Sequence, residues 1–139
     1  MGPEADADGR TWPAPSGAGL RLPREARLRS RKDFARIHAG GLRARGRCIL
    51  VVAAPGLNPA TPRLGLSVGL RYSKSAVARN RFRRQCREAF RLERRHLPHL
   101  DLVVIPVARP GQHSLAHLRD ELVTLARRIQ RKLGDACGH

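Results

Sequence analysis

Along the chain the apolar positions change their spacing several times, and each change marks an element. Phe34 and Ile37 lie three residues apart behind Ser30-Arg31-Lys32-Asp33. That run reads as a capping box with Asp in place of Glu, opening a short helix that Gly40-Gly41 stops. Residues 43 to 53, RARGRCILVVA, become rich in β-branched side chains and read as a strand. On that strand Arg43, Arg45 and Arg47 share one face, continued by Ile49 and Val51. PGLNPATP, 55 to 62, is a loop, and RLGLSVG, 63 to 69, a second strand. Residues 75 to 95 return to helical spacing, and Pro98 closes that segment. DLVVIPV, 101 to 107, is a nearly continuous apolar strand with Pro106 at its end or on an edge. After the turn RPGQH, Ser114 can cap a last helix carrying Leu115, Leu118, Leu122, Leu125, Ile129 and Leu133, with Gly134 as its stop. The order is helix, strands, helix, strand, helix: an α+β sandwich of helices on a small sheet, with no internal repeat.

Length and charge narrow the class. The 139 residues allow one domain. Aromatics are only 4%, so the core is built from Leu, Val, Ile and Ala. The net charge is +17, an excess that repels itself unless a polyanion lies nearby. Residues 1 to 20 hold three acids, Glu4, Asp6 and Asp8, against Arg10, with no periodicity, and are expected to be a disordered tail. The positive charge therefore belongs to the domain, residues 21 to 133, with 134 to 139 a short C-terminal tail. Cys48, Cys86 and Cys137 form neither a CxxC nor an even set, which suits a reducing, cytoplasmic setting. No apolar run reaches the roughly 20 residues of a membrane span. The acidic start is not that of a signal peptide, and Asp6 breaks the myristoylation pattern.

The helix at 75 to 95 carries the charge. ARNRFRRQCREAF, 78 to 90, places Ala78, Phe82, Cys86, Ala89 and Phe90 on one stripe. Asn80, Arg83, Arg84, Arg87, Arg91 and Arg94 occupy the opposite face, with Arg79 and Arg81 at its edges. A merely solvated face would mix signs, but Glu88 and Glu93 are the only acids here against eight arginines. Arg83, Arg87, Arg91 and Arg95 are like charges at successive i,i+4 positions, which disfavours an isolated helix. Neutralisation by phosphates is the better account.

ARNRFRRQCREAFR resembles the arginine-asparagine-arginine signature of the bacterial ribonuclease P protein family. RLPREARLRSRKDFARI resembles that family's N-terminal segment, PRLGLSVGLRYSKSAVARNR its strand and crossover loop, and LPHLDLVVIPV its last strand. The resemblance covers about residues 21 to 133. It implies an α-β-β-β-α-β-α order, a small mostly antiparallel sheet with three helices, and a left-handed βαβ crossover through the signature helix. The 43 to 53 segment would then supply two short strands. The function implied is that of the protein subunit of a ribonucleoprotein endoribonuclease that removes the 5′ leader of precursor tRNA. The active site and its Mg²⁺ ions would lie in the catalytic RNA, with no cofactor and no catalytic residue in this chain and no obligate protein partner. Carried over by position, Arg79, Asn80, Arg81, Arg83, Arg84, Arg87 and Arg91 would bind the catalytic RNA. Phe34 would stack on a leader base, with Arg45, Arg47, Ile49 and Val51 as the other wall of the cleft. Three departures stand out: His38 where the family has a second aromatic, Val51 where it can have tyrosine, and Leu70-Arg71 where it usually has a lysine pair.

Candidates for protein-borne chemistry are weak beside this. His113 and His117 at i,i+4 with Asp120 would be polar residues at a helix start, lacking a third metal ligand nearby. His96 and His99 flank Pro98 in a turn, and Cys86 falls on the apolar stripe. No Ser-His-Asp, Cys-His or paired-carboxylate set can be assembled. The alternative to a ribozyme subunit is a structural RNA-binding protein, such as a ribosomal protein, with no role in cleavage.

Overall fold

A computed structural model describes residues 26–28, 30–58 and 61–137, with side chains through 134; the N-terminal tail expected over 1 to 20 lies outside them. The elements are α1 (Arg31–Gly40), β1 (Leu42–Arg45), β2 (Ile49–Pro55), β3 (Arg63–Leu66), α2 (Ala76–Glu93), β4 (Leu100–Pro106) and α3 (Leu115–Cys137), with a 3₁₀ turn at Arg94–His96 after α2. The described residues thus form three α-helices and four strands in α-β-β-β-α-β-α order.

The sheet runs β1-β2-β4-β3. β1 and β4 are antiparallel to β2, while β3 and β4 are parallel neighbours joined through α2. Alternation sorts β2 in two directions. Ile49, Val51 and Ala53 join Leu64, Leu102 and Val104 in the larger core, under Phe82, Cys86 and Phe90 of α2 and Leu118, Leu122, Leu125 and Ile129 of α3. Val52, Ala54, Val103, Leu28 and Ile37 of α1 form a smaller core on the opposite face, against which Phe34, Leu50 and Ile105 are only partly buried. Two helices cover one face and a single ten-residue helix covers part of the other.

The local signals mostly act as read. The Ser30 hydroxyl caps α1 by accepting from the Lys32 N–H at 3.1 Å. Asp33 does not complete a capping box with it; its carboxylate turns to Arg36 and Arg63. Gly41 closes the helix by donating its N–H to the Ile37 carbonyl at 2.7 Å. α3 departs from expectation, running through Gly134 to Cys137. A glycine costs a helix only about 1 kcal/mol, and the apolar stripe of α3 up to Leu133 packs against the core.

Candidate nucleic-acid interface

α2 divides as its pattern requires. Phe82, Cys86, Ala89 and Phe90 are buried, and burial pushes the Cys86 thiol well above its ordinary pKa, so it is a small core residue. Asn80, Arg81, Arg84 and Arg87 are exposed. Several of the arginines are held in place. The Asn80 side-chain oxygen accepts from Arg83 Nη1 at 2.9 Å, and Arg83 Nη2 donates to the Val68 carbonyl at 3.2 Å. Arg79 donates to the Ser73 carbonyl at 2.8 Å, tying the crossover loop to the first turn. Val77, Asn80, Arg83, Arg84 and Arg87 line a shallow open groove of about 430 Å³.

The groove has an electrostatic signature. The Arg87 guanidinium is held below its ordinary pKa, first by burial, then by the charges of Arg27 and Arg83. The Nε of Arg27 is buried with no hydrogen-bond partner. Three cations thus converge where no acid answers them among the residues that perturb Arg87. Arg91 stands apart, because it pairs with Glu88 one turn back. Arg94 donates to Thr61 at 3.0 Å, and Glu93 is taken by Arg119.

The opposite face of the sheet carries the second candidate region. Phe34 on α1 is partly buried, and its ring lies over Gly65: a Cβ built there would fall 2.7 Å from Phe34 Cζ. The strand register sets the floor beside it. Arg45, Leu50 and Ile105 form one row across β1, β2 and β4, and Arg43, Val52, Val103 and Gly65 form the next. Arg43 and Arg45 are exposed at the rim.

Two of the residues expected in this cleft are elsewhere. Ile49 and Val51 are buried in the larger core beneath α2 and α3, on the far side of the sheet from Phe34. A shared face for Arg45, Arg47, Ile49 and Val51 requires one continuous strand over 43 to 53. The chain instead reverses at Gly46-Arg47-Cys48, and pairing Arg45 with Leu50 puts Leu50 and Val52, not Ile49 and Val51, beside the arginines. Arg47 sits exposed in that turn rather than on the strand face. His38 is exposed on α1.

Polar groups that sequence patterning does not single out hold these pieces in place. Asp101, fully buried at the start of β4, accepts from Arg63 Nε at 2.8 Å and Nη2 at 2.7 Å, and from Arg36 Nη2 at 2.5 Å. It thereby ties α1 to β3 and β4. Glu121 of α3 accepts from the backbone N–H groups of Arg47, Cys48 and Ile49 at 3.0 to 3.2 Å, clamping the β1–β2 turn. Its charge, after burial, raises the Cys48 thiol pKa. Tyr72 of the crossover loop shares a 3.0 Å hydrogen bond with His113, whose ring meets the Phe82 ring edge-on at 5.2 Å. His113 is therefore a packing residue ahead of α3 rather than the first of two histidines on one helix face. The one hint for Asp101 was a lone acid opening an apolar strand; Glu121 and Tyr72 gave none.

Among the described residues no group of three or more His, Cys, Asp or Glu side chains is placed to hold a metal ion. None of the described helices is long and apolar enough to cross a membrane.

The ribonuclease P family model matches residues 22–130 of this chain. The ribonuclease P protein component of Bordetella avium is 41% identical over 99 residues, spanning 70% of this chain and 82% of its own. That of Chlamydia pneumoniae is 38% identical over 104 residues, spanning 75% and 74%. The solved structure of the RNase P protein from Thermotoga maritima matches with a TM-score of 0.66 at 30% identity, covering 74% of this chain and 96% of its own. With the arginine helix and these likenesses in place, the chain belongs to the ribonuclease P protein family and is the protein component of the tRNA-processing ribozyme.

Proposed function

We propose that the α2 face seats the catalytic RNA and that the α1 side of the sheet holds the 5′ leader of precursor tRNA. The ribonucleoprotein then hydrolyses the phosphodiester bond between leader and mature 5′ end. The observation that carries this is the convergence of Arg27, Arg83 and Arg87, with the Arg87 pKa lowered by burial and then by its neighbours' charge. Crowded cations of this kind are relieved by phosphate oxygens, each displacing condensed counterions from the RNA. Asn80, Arg81 and Arg84 extend the same face, Arg79 fixes its first turn, and Arg91 adds a cation already half-satisfied by Glu88. In the cleft, Phe34 offers a ring face to one leader base, Leu50 and Ile105 an apolar floor, and Arg43 and Arg45 a rim for phosphates.

Among the described residues no three His, Cys, Asp or Glu side chains gather as a metal would need. Asp33, Asp101, Glu88 and Glu93 answer arginines, and Glu121 answers backbone N–H groups. On this reading Mg²⁺ sits in the RNA, and the protein's part is to bind and orient. Two described cysteines, Cys48 and Cys86, are buried free thiols, which suits the reducing cytoplasm.

One paired experiment tests both faces. Arg83→Ala, Arg84→Ala and Arg87→Ala should each flatten the slope of log K against log salt for catalytic-RNA binding by about 0.7 to 0.9 for every phosphate no longer neutralised. Phe34→Ala should leave that slope alone and weaken leader-bearing precursor, relative to mature tRNA, by about 1 to 3 kcal/mol. An unchanged slope in all three arginine variants would mean that the α2 face is only solvated. Equal weakening of leader-bearing and mature tRNA would remove the leader from the cleft.

A further inference from the structure

Two sets of cations meet at the β1 edge of the sheet. Arg43 and Arg45 stand exposed on the α1 side, and Arg47 is exposed at the hairpin turn. That turn is fastened to α3 through Glu121, and a Cβ on Gly46 would reach Leu125 Cδ1 at 3.2 Å. Arg128 and Lys132, three and seven residues beyond Leu125, continue the hairpin-facing side of α3. From Leu122 to Gly134 the helix has no acid, while Arg127, Arg128, Arg131 and Lys132 are all exposed. Arg127 donates to the His96 carbonyl. Arg128, Arg131 and Lys132 have no ion pair among the described residues. Glu121, the nearest acid before them on the helix, has its carboxylate occupied by the turn, and Asp135 follows three residues beyond Lys132. Arg127 and Arg131, and Arg128 and Lys132, are like charges at i,i+4, a spacing that disfavours an isolated helix.

We propose that this face of α3 continues the leader path. The distal nucleotides of a long 5′ leader leave the cleft past Arg45, pass the turn at Arg47, and lay their phosphates on Arg128, Arg131 and Lys132. The proposal rests on the cleft reading above. A single strand is the occupant because the cations change layers, from one face of the sheet to the helix packed on the other. Double helices are stiff, with a persistence length of about 50 nm for DNA, and do not follow such a turn. No described aromatic interrupts the α3 cations, so the face reads phosphate and not base, and is indifferent to leader sequence.

The test uses the reconstituted holoenzyme and precursors with leaders of about 5 and about 15 nucleotides, bracketing the reach of single-strand grooves. The parent chain should bind the longer leader more tightly, with a salt slope steeper by up to about 2, near 0.7 for each of three phosphates. The triple variant Arg128→Gln, Arg131→Gln, Lys132→Gln should erase that difference and leave short-leader binding and catalytic-RNA affinity unchanged. A length effect that survives the triple variant, or is missing from the parent, overturns the proposal. So does an equal loss for mature tRNA, which would place the tRNA body or an RNA duplex on α3. Arg45→Gln is the control for the cleft itself and should weaken both leaders. If neither it nor Phe34→Ala affects either precursor, the cleft reading falls and takes the extension with it.

Discussion

Replacing Asp101 with Asn tests how far the α1 side of the molecule depends on one buried carboxylate. Asp101 has no exposure, while the side chains of its partners Arg36 and Arg63 keep 33% and 17% of theirs. An amide offers one acceptor oxygen where the carboxylate offers two, and no charge. Removing one partner of a buried ion pair costs about 3 to 5 kcal/mol when the remaining charge is trapped. Here both guanidiniums retain a route to water and Asn keeps one acceptor, so the expected loss is about 2 to 3 kcal/mol. Against a typical total stability of about 5 to 15 kcal/mol, that is readily measured as a shift in urea midpoint at constant slope. The pH dependence adds a second reading. Burial pushes the Asp101 pKa up, but the hydrogen bonds and charges of Arg63 and Arg36 outweigh it and hold the group below its ordinary value. A depressed carboxylate contributes stability that is present above its unfolded pKa of about 3.9 and is lost as pH falls through the folded value. The parent chain should therefore converge on the variant in strong acid. A neutral-pH difference below about 0.5 kcal/mol, within the range of ordinary surface changes, or a difference that does not shrink on acidification, refutes the reasoning.

Two further outcomes follow from packing. Gly65→Ala puts a Cβ 2.7 Å from Phe34 Cζ and 3.1 Å from Leu28 Cβ, so the ring must lift from the sheet. A cost of about 1 to 3 kcal/mol in stability is expected, with selective loss of leader affinity in precursor-against-mature titrations; unchanged discrimination would show that ring height is immaterial. Burial also holds the His113 pKa below its ordinary value, so its contribution is present above the unfolded pKa and lost as pH falls through the folded one. Tm should thus decline more steeply between neutral and mildly acidic pH in the parent than in His113→Gln, and parallel curves would count against it.

The parts legible from sequence are those where one period runs unbroken. α2 and α3 carry stripes long enough to set both their faces, and the arginine face of α2 follows directly. The β1–β2 hairpin was harder because its turn, Gly46-Arg47-Cys48, lies inside a basic run that looks like continuous strand. Side-chain direction alternates residue by residue, so a reversal whose place is not fixed moves every later position to the wrong face, as for Ile49 and Val51. Asp101 was hidden for another reason. A charge inside an apolar strand is stable only when partners distant in sequence reach it, and Arg36 lies 65 positions away. The Tyr72–His113 hydrogen bond, spanning 41 positions, is of the same kind.

Unequal cover of the sheet leaves part of its α1 side open. At 1.5 Å per residue, α2 and α3 run about 27 and 34 Å, whereas α1 runs about 15 Å. β2 and β4, at seven residues each, extend about 23 Å. α1 therefore cannot shield their full length, and the row it leaves uncovered is Arg45, Leu50 and Ile105. An apolar strip left open on a sheet is ordinarily a liability, since it invites another apolar surface. The exposed arginines on β1 change its preference: they favour a partner that is flat and apolar in its bases and anionic along its backbone. The Asp101 network keeps α1 from sliding over the strip, and Gly65 lets Phe34 lie low at its boundary. The shortness of one helix thus leaves the strip open, and the buried carboxylate ties that helix to β3 and β4 beside it.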